Sequence, residues 1–265
     1  MSCVPTRAEA MQARQVSEDA VLGGRLRLRQ FKEGHRIGHD AILLAAACPG
    51  HAGERAADLG AGVGAAGLAL AARVGGLTIT LVELDAGLAA LASENARLNG
   101  LAARVAVVAL DATAPARAYA AAGLHPGSLD RVLMNPPFND ARRSRASPDA
   151  RRELAYLGSN EMLAAWLRSA GRLLRAGGTV SLIWRADALD AVLRALATGF
   201  GAAVVLPVHP KPGKAAIRVL VRATKASRAA LTLLPGFFLE DAAGQVSKEA
   251  EALLRQGAIL PLASL

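Results

Sequence analysis

Three observations predict an α/β fold with a mostly parallel sheet. From Arg55 onward strand-like and helix-like segments alternate, the signature of successive βαβ units. The chain is 52% hydrophobic but only 3% aromatic, so its core is built mainly from Ala, Leu and Val, as in sheets covered by helices. A glycine-rich turn, Ala56 to Gly67, joins the first strand to the first helix of that series. The strands fall at Arg55 to Leu59, Thr78 to Glu83, Arg104 to Leu110, Leu129 to Met134, Thr179 to Trp184, Ala202 to Val208 and Ala215 to Ala223. The short Pro-Lys-Pro-Gly-Lys return before the last of these makes strand seven antiparallel to strand six.

Along the chain, residues 1–16 are polar and aperiodic and read as a mobile tail. Ordered structure is expected from near Asp19, where Val21-Leu22, Gly23-Gly24 and Arg25 to Leu28 form a hairpin whose arginine face is solvated. A loop from Gly34 to His39 precedes Asp40, the expected N-cap of a helix from Ala41 to Ala47 that Pro49-Gly50 stops. Within the alternating region, a helix starts at about Gly64, a second spans Ala86 to Leu98 and ends at Asn99-Gly100, and an Ala-rich connection follows Asp111. Arg142 to Arg152 reads as a solvated loop, with helix resuming at about Asn160 and closed by Gly177-Gly178. In that helix Trp166 is expected in the core, and Asp187 is expected to cap the next helix, to about Thr198. The end of the chain carries an apolar stretch, Leu231 to Leu234, and a helix near Lys248 to Arg255. Residues 17–265 are thus expected to be one domain: a hairpin and helix (17–50), a core (51–225) and an appendage (226–265).

The net charge of +9 favours a polyanionic partner such as RNA. Cys3 and Cys48 have neither disulfide-framework nor metal-ligand spacing, so no metal is expected. The N-terminus lacks the apolar core of a signal peptide, and no apolar run is long enough for a membrane span. A soluble cytoplasmic protein is expected.

The turn Asp58-Leu59-Gly60-Ala61-Gly62-Val63-Gly64 has the character of a cofactor cradle, since glycines turn tightly and let a ligand lie against bare backbone. Gly62-x-Gly64-x-x-Gly67 also fits the dinucleotide fingerprint, with Glu83 placed for a ribose. Asp58 favours a different ligand: a carboxylate repels a pyrophosphate and attracts an ammonium group, such as that of S-adenosylmethionine. Glu83 is suited to the ribose hydroxyls, and Asp111, followed by Ala112, to the adenine amino group. After strand four, Asn135-Pro136-Pro137-Phe138 lacks two backbone donors and offers an amide side chain and carbonyl oxygens. Such a site accepts hydrogen bonds from an exocyclic amine. Asn135 and Pro136 would fix its two N–H groups, and Phe138 would stack on a planar base. Methyl transfer to that nitrogen needs mainly in-line proximity, in keeping with the lack of an obvious nucleophile or base.

Asp58 to Gly64, Glu83, Asp111 and Asn135 to Phe138 together resemble the motifs of class I S-adenosylmethionine-dependent methyltransferases acting on exocyclic or amide nitrogens. Leu22 to Leu26, Gln30 and Gly34 to Leu44 further resemble the tRNA N6-adenine methyltransferases that act beside the anticodon of a valine tRNA. Phe138 stands where those relatives often have Tyr. The resemblance spans most of Val21 to Thr224. It implies the Rossmann-like seven-stranded fold with helices on both faces, S-adenosylmethionine as donor, and a flipped adenine as acceptor. It further implies that Arg36, His39 and Asp40 lie against the methionine end of the cofactor.

Other readings stand beside this one. A guanine N2 or protein glutamine-amide methyltransferase fits the same tetrad. A nicotinamide-dependent oxidoreductase would read Gly62 to Gly67 as a phosphate loop, and an idle RNA-binding module would need none of the cofactor set. Arg142, Arg143, Arg145, Arg151 and Arg152 follow the tetrad directly and are candidates for contact with an RNA backbone.

Overall fold

The computed structural model describes residues 15–33, 36–137 and 149–264. Most of the expected tail, Gly34, His35, Phe138, Arg142, Arg143 and Arg145 lie outside these residues. The first two strands, β1 (Val16–Val21) and β2 (Leu26–Phe31), pair antiparallel through a 3-10 turn at Leu22–Gly24. Strand structure is therefore already present at Val16, before the expected Asp19. The early residues of β1 carry no hydrophobic signal because charge holds them: Glu18 pairs with Arg27 and Arg29, and Asp19 accepts from the Gln30 amide at 2.6 Å. Helix α1 (His39–Ala47) starts two residues before the expected Ala41, with Gly38 as its N-cap and no side-chain cap. Asp40 sits in its first turn and is ion-paired with Arg218 at 3.0 Å, which removes it from the capping role.

The main sheet is built from β3 (Arg55–Leu59), β4 (Thr78–Glu83), β5 (Val105–Ala109), β6 (Leu129–Met134), β7 (Leu174–Arg185), β8 (Phe200–His209) and β9 (Arg218–Lys225). Their spatial order is β8-β9-β7-β6-β3-β4-β5, and only the pairings of β9 are antiparallel. Two short strands, β10 (Thr232–Leu233) and β11 (Phe237–Phe238), extend β8 in parallel. The other helices are α2 (Ala65–Arg73), α3 (Ala86–Leu98), α4 (Ala116–Ala121), α5 (Asp149–Leu173), α6 (Leu189–Leu196) and α7 (Lys248–Gln256). Alternation along the strands divides the core into two faces. Ile79, Leu81, Leu133 and Ile183 pack with α1 and α2, whereas Ala57, Val82, Val132 and Leu182 pack with α5 and α6.

Three boundaries differ from expectation for identifiable reasons. Helix α5 begins at Asp149 rather than near Asn160, because the Arg-, Glu- and Ala-rich segment is a good helix former despite its charge. Strand β7 begins at Leu174 and carries Gly177-Gly178 inside it, where Gly177 has φ +76° and the register with β6 shifts. Asp187 lies in a 3-10 turn and pairs with Arg185 at 2.8 Å, and α6 has no side-chain cap.

Register sets the geometry of the functional edge. Leu59 lies beside both Met134 of β6 and Val82 of β4, and Glu83 lies beside Ala109 of β5. The segments that leave β3, β4, β5 and β6 therefore emerge together at one edge, with β3 at the point where strand order reverses. The hairpin is held near this edge by α3. Asn95 and Asn99 of α3 bond the backbone of Arg29 and Arg27 at 2.7–3.0 Å. The C-terminal segment closes on the same unit: Arg25 donates to the Gln256 carbonyl, the Leu260 amide to Ala46, and Arg222 to the Leu262 carbonyl. Among the described residues no helix is long and apolar enough to cross a membrane.

Candidate cofactor and acceptor site

The turn after β3 is shaped by positive φ at Gly60 (+69°), Gly62 (+58°) and Gly64 (+90°), the last serving as N-cap of α2. A side chain at Gly60 would overlap the Trp166 ring of α5, whereas the space where a Gly62 Cβ would lie is open. Trp166 is in the core as expected, but it also braces the turn.

Several amides of this turn are bonded internally. Gly60 and Ala61 donate to the Val82 carbonyl at 2.8 and 3.0 Å, Gly62 to Glu83 Oε2 at 2.8 Å, and Gly67 to Asp58 Oδ2 at 2.8 Å. Two carboxylates thus occupy donors that a pyrophosphate would require, and the turn as folded does not suit a dinucleotide phosphate loop. It suits a cationic ligand with hydroxyl groups.

Asp58 is 2% exposed. Burial pushes its carboxyl up to about 7, the neighbouring Glu83 charge adds to this, and the Gly67 amide opposes it. Glu83 is also buried, and its Oε1 accepts from the Asp85 amide at 2.8 Å. Each Glu83 oxygen keeps a further lone pair, the capacity a ribose diol needs. Asp111 is exposed and forms a local turn, its Oδ1 accepting from the Thr113 amide and hydroxyl at 2.6 and 2.7 Å. Ala112 beside it is buried, with its carbonyl bonded to the Tyr119 hydroxyl. Asp58, Gly60, Gly62, Glu83 and Asp111 are therefore gathered at one edge, while Ala112 offers no carbonyl outward.

On the other side of β3, Asn135 follows β6 and is half-buried, Pro136 is buried and Pro137 exposed. The Asn135 side chain makes no hydrogen bond among the described residues, which leaves its amide available to an acceptor group. The 36–40 segment lies beside the turn, because Ile37 packs with Val63. Its side chains are otherwise engaged. Arg36 pairs with Asp19 at 2.9 Å, and Asp40 with Arg218. His39 is exposed. Arg151 and Arg152 fall within α5.

One residue of this site went unread in the sequence. Asn95 is fully buried, and its Nδ2 donates to the Val63 carbonyl at 2.9 Å as well as to Arg29. The signal was an asparagine inside the helix, three residues before its end, where capping does not account for it.

Residues 35–206 match the methyltransferase small domain family. The chain is 30% identical over 203 residues to the tRNA1(Val) (adenine(37)-N6)-methyltransferase of Bacteroides fragilis, covering 74% of this chain and 82% of that protein. It is 36% identical over 152 residues to the release factor glutamine methyltransferase of Moorella thermoacetica, covering 55% and 50% respectively. A crystal structure from Agrobacterium tumefaciens, described as a predicted O-methyltransferase, superposes with a TM-score of 0.70 at 32% identity, over 83% of this chain and 98% of that one.

Proposed function

Because this chain belongs to the methyltransferase small domain family and uses S-adenosylmethionine, we propose that it methylates the exocyclic N6 of adenine in tRNA. The observation that carries this reading is the pairing, on adjacent strand ends, of the acidic glycine turn after β3 with an unengaged Asn135 beside Pro136 after β6.

Residues of this chain have the chemistry to hold the donor. Asp58 would balance its ammonium group, Glu83 would accept from the ribose hydroxyls, Asp111 would reach the adenine, and the bare face of Gly62 would lie against it. Arg36, His39 and Asp40 would border its methionine end. When bound, it supplies an electrophilic methyl group on a sulfonium. The Asn135 side-chain oxygen and the Pro136 carbonyl would hold the acceptor's two N–H groups and aim its lone pair, with Phe138 stacked on the base. The acceptor proton would leave after transfer, so no strong base is required.

An RNA partner is supported by the names of the relatives and by the net charge of +9. Arg142, Arg143, Arg145, Arg151 and Arg152 would contact its backbone, in the cytoplasm where tRNA resides. The match to a release factor glutamine methyltransferase favours one second reading, a glutamine amide as the acceptor.

Incubating the protein with isotope-labelled S-adenosylmethionine and either unfractionated tRNA or a release factor, then analysing nucleosides and peptides by mass spectrometry, decides between them. N6-methyladenosine is expected. N2-methylguanosine or methylglutamine in its place would overturn the adenine assignment, and no transfer to either substrate would overturn both.

A further inference from the structure

Helix α5 borders a cleft at the margin of the core as well as packing into it. Ala165 and Leu167, on either side of Trp166, open onto a cleft of about 560 Å³ that continues along the helix to the start of β8 and the end of β9. Its wall carries Arg168, Arg172 and Lys225, the half-buried ring of Phe200, and no carboxylate.

Two of these cations are held in place. Arg172 donates to the Ala114 carbonyl at 3.1 Å and to Ser169 Oγ at 2.9 Å, and Lys225 donates to the Leu174 carbonyl at 2.5 Å. Arg168 is exposed and makes no hydrogen bond or ion pair among the described residues. The far wall is formed by Thr198, Gly199 and Phe200, and the Ala226 amide, next to Lys225, donates to the Gly199 carbonyl at 2.8 Å and so ties the two segments together. A cleft of this size, with preset cations and an aromatic ring, has the chemistry that receives a nucleotide.

We propose that this cleft binds a nucleotide of the RNA other than the methylated one, its phosphate among Arg168, Arg172 and Lys225 and its base against Phe200. This rests on the RNA reading above. The cleft lies at the side of the sheet where β7 and β8 begin, opposite the edge that carries the target site, and α5 connects the two: Trp166 abuts Gly60 of the cofactor turn, Arg172 is six residues, about 9 Å, farther along the helix, and a folded RNA is large enough to span both.

Binding of unfractionated tRNA to the wild type, Arg168→Glu and Lys225→Gln tests this across a salt series, with S-adenosylmethionine calorimetry as the control for folding. Arg168→Glu should weaken tRNA binding at least tenfold at 0.1 M salt. It should also flatten the slope of log affinity against log salt by roughly 0.7 to 0.9, while cofactor affinity stays within about twofold. Ultraviolet crosslinking of the wild type to tRNA should place a nucleotide on the peptide containing Phe200. Unchanged tRNA affinity and salt slope in both variants, or crosslinks only on other peptides, would overturn the cleft assignment and leave RNA methylation standing. No tRNA binding by the wild type would overturn both.

Discussion

Glu83, at the end of β4, accepts the Gly62 amide on one carboxylate oxygen and the Asp85 amide on the other, each at 2.8 Å. One side chain thus ties the cofactor turn to the neighbouring strand while presenting its remaining lone pairs to the edge. Glu83→Ala leaves two amides without partners and should cost about 1–3 kcal/mol of stability per group left buried. It should also weaken S-adenosylmethionine binding at least tenfold. Calorimetry and thermal unfolding read the two effects separately, and an unchanged cofactor affinity would remove Glu83 from the site.

Asp58 gives the apoprotein a pH dependence of definite sign. Its folded value of about 7 lies above the ordinary 3.8, so the native state holds this proton more tightly than the unfolded chain does. The resulting stability is complete below the ordinary value and is lost as pH rises through about 7. Asp58→Asn keeps an acceptor for the Gly67 amide and should remove this loss, raising apoprotein stability at pH 8 by at most about 4 kcal/mol. An ammonium group beside the wild-type carboxylate favours its ionised form, so S-adenosylmethionine should bind more tightly at pH 8 than at pH 6. The Asn variant should bind weakly at both. Affinity that does not depend on pH in the wild type would place the ammonium elsewhere.

Gly62 and Gly67 separate ligand space from packing space. A methyl group at Gly67 would strike Leu81 and the Asp58 carboxylate, so Gly67→Ala should destabilise the fold by about 1–3 kcal/mol. A methyl group at Gly62 meets nothing and carries only the strain of positive φ, about 1–2 kcal/mol. Gly62→Ala should nevertheless weaken cofactor binding strongly, because the methyl occupies the proposed cradle. Denaturant unfolding beside calorimetry tests the contrast, which fails if Gly62→Ala binds as the wild type does.

Asn135→Ala should lower kcat at least a hundredfold, since the lost hydrogen bonds orient the acceptor. Cofactor affinity should stay within a few-fold and the melting temperature unchanged, because the side chain has no partner among the described residues. Near-normal turnover would show that the tetrad does not hold the acceptor.

The strands that line the site were legible in the sequence because short, largely apolar runs end at glycine, proline or acidic residues; β3, β4 and β6 fall where those signals place them. Arg151 to Leu157 misled because a charged helix and a charged loop share a composition. Gly177-Gly178 misled because a glycine pair marks a helix stop and a strand irregularity equally well. The strand ends bring Asp58, Glu83, Asp111 and Asn135 to one edge, a position that follows from the order of the strands. Their partners were not readable: Gly67 for Asp58, Asp19 for Arg36 and Arg218 for Asp40 are set by tertiary approach over many residues.

Asn95 joins three segments with one amide: α3, which carries it, the backbone of Arg29 in the hairpin, and the Val63 carbonyl in the cofactor turn. Opening either the hairpin or the turn at this junction strands polar atoms of the buried Asn95 side chain. The two should therefore be coupled in amide hydrogen exchange, although more than thirty residues of sequence separate them. Cofactor that slows exchange at Gly62 is expected to slow it at Arg29 as well, through Asn95 rather than through contact with the ligand.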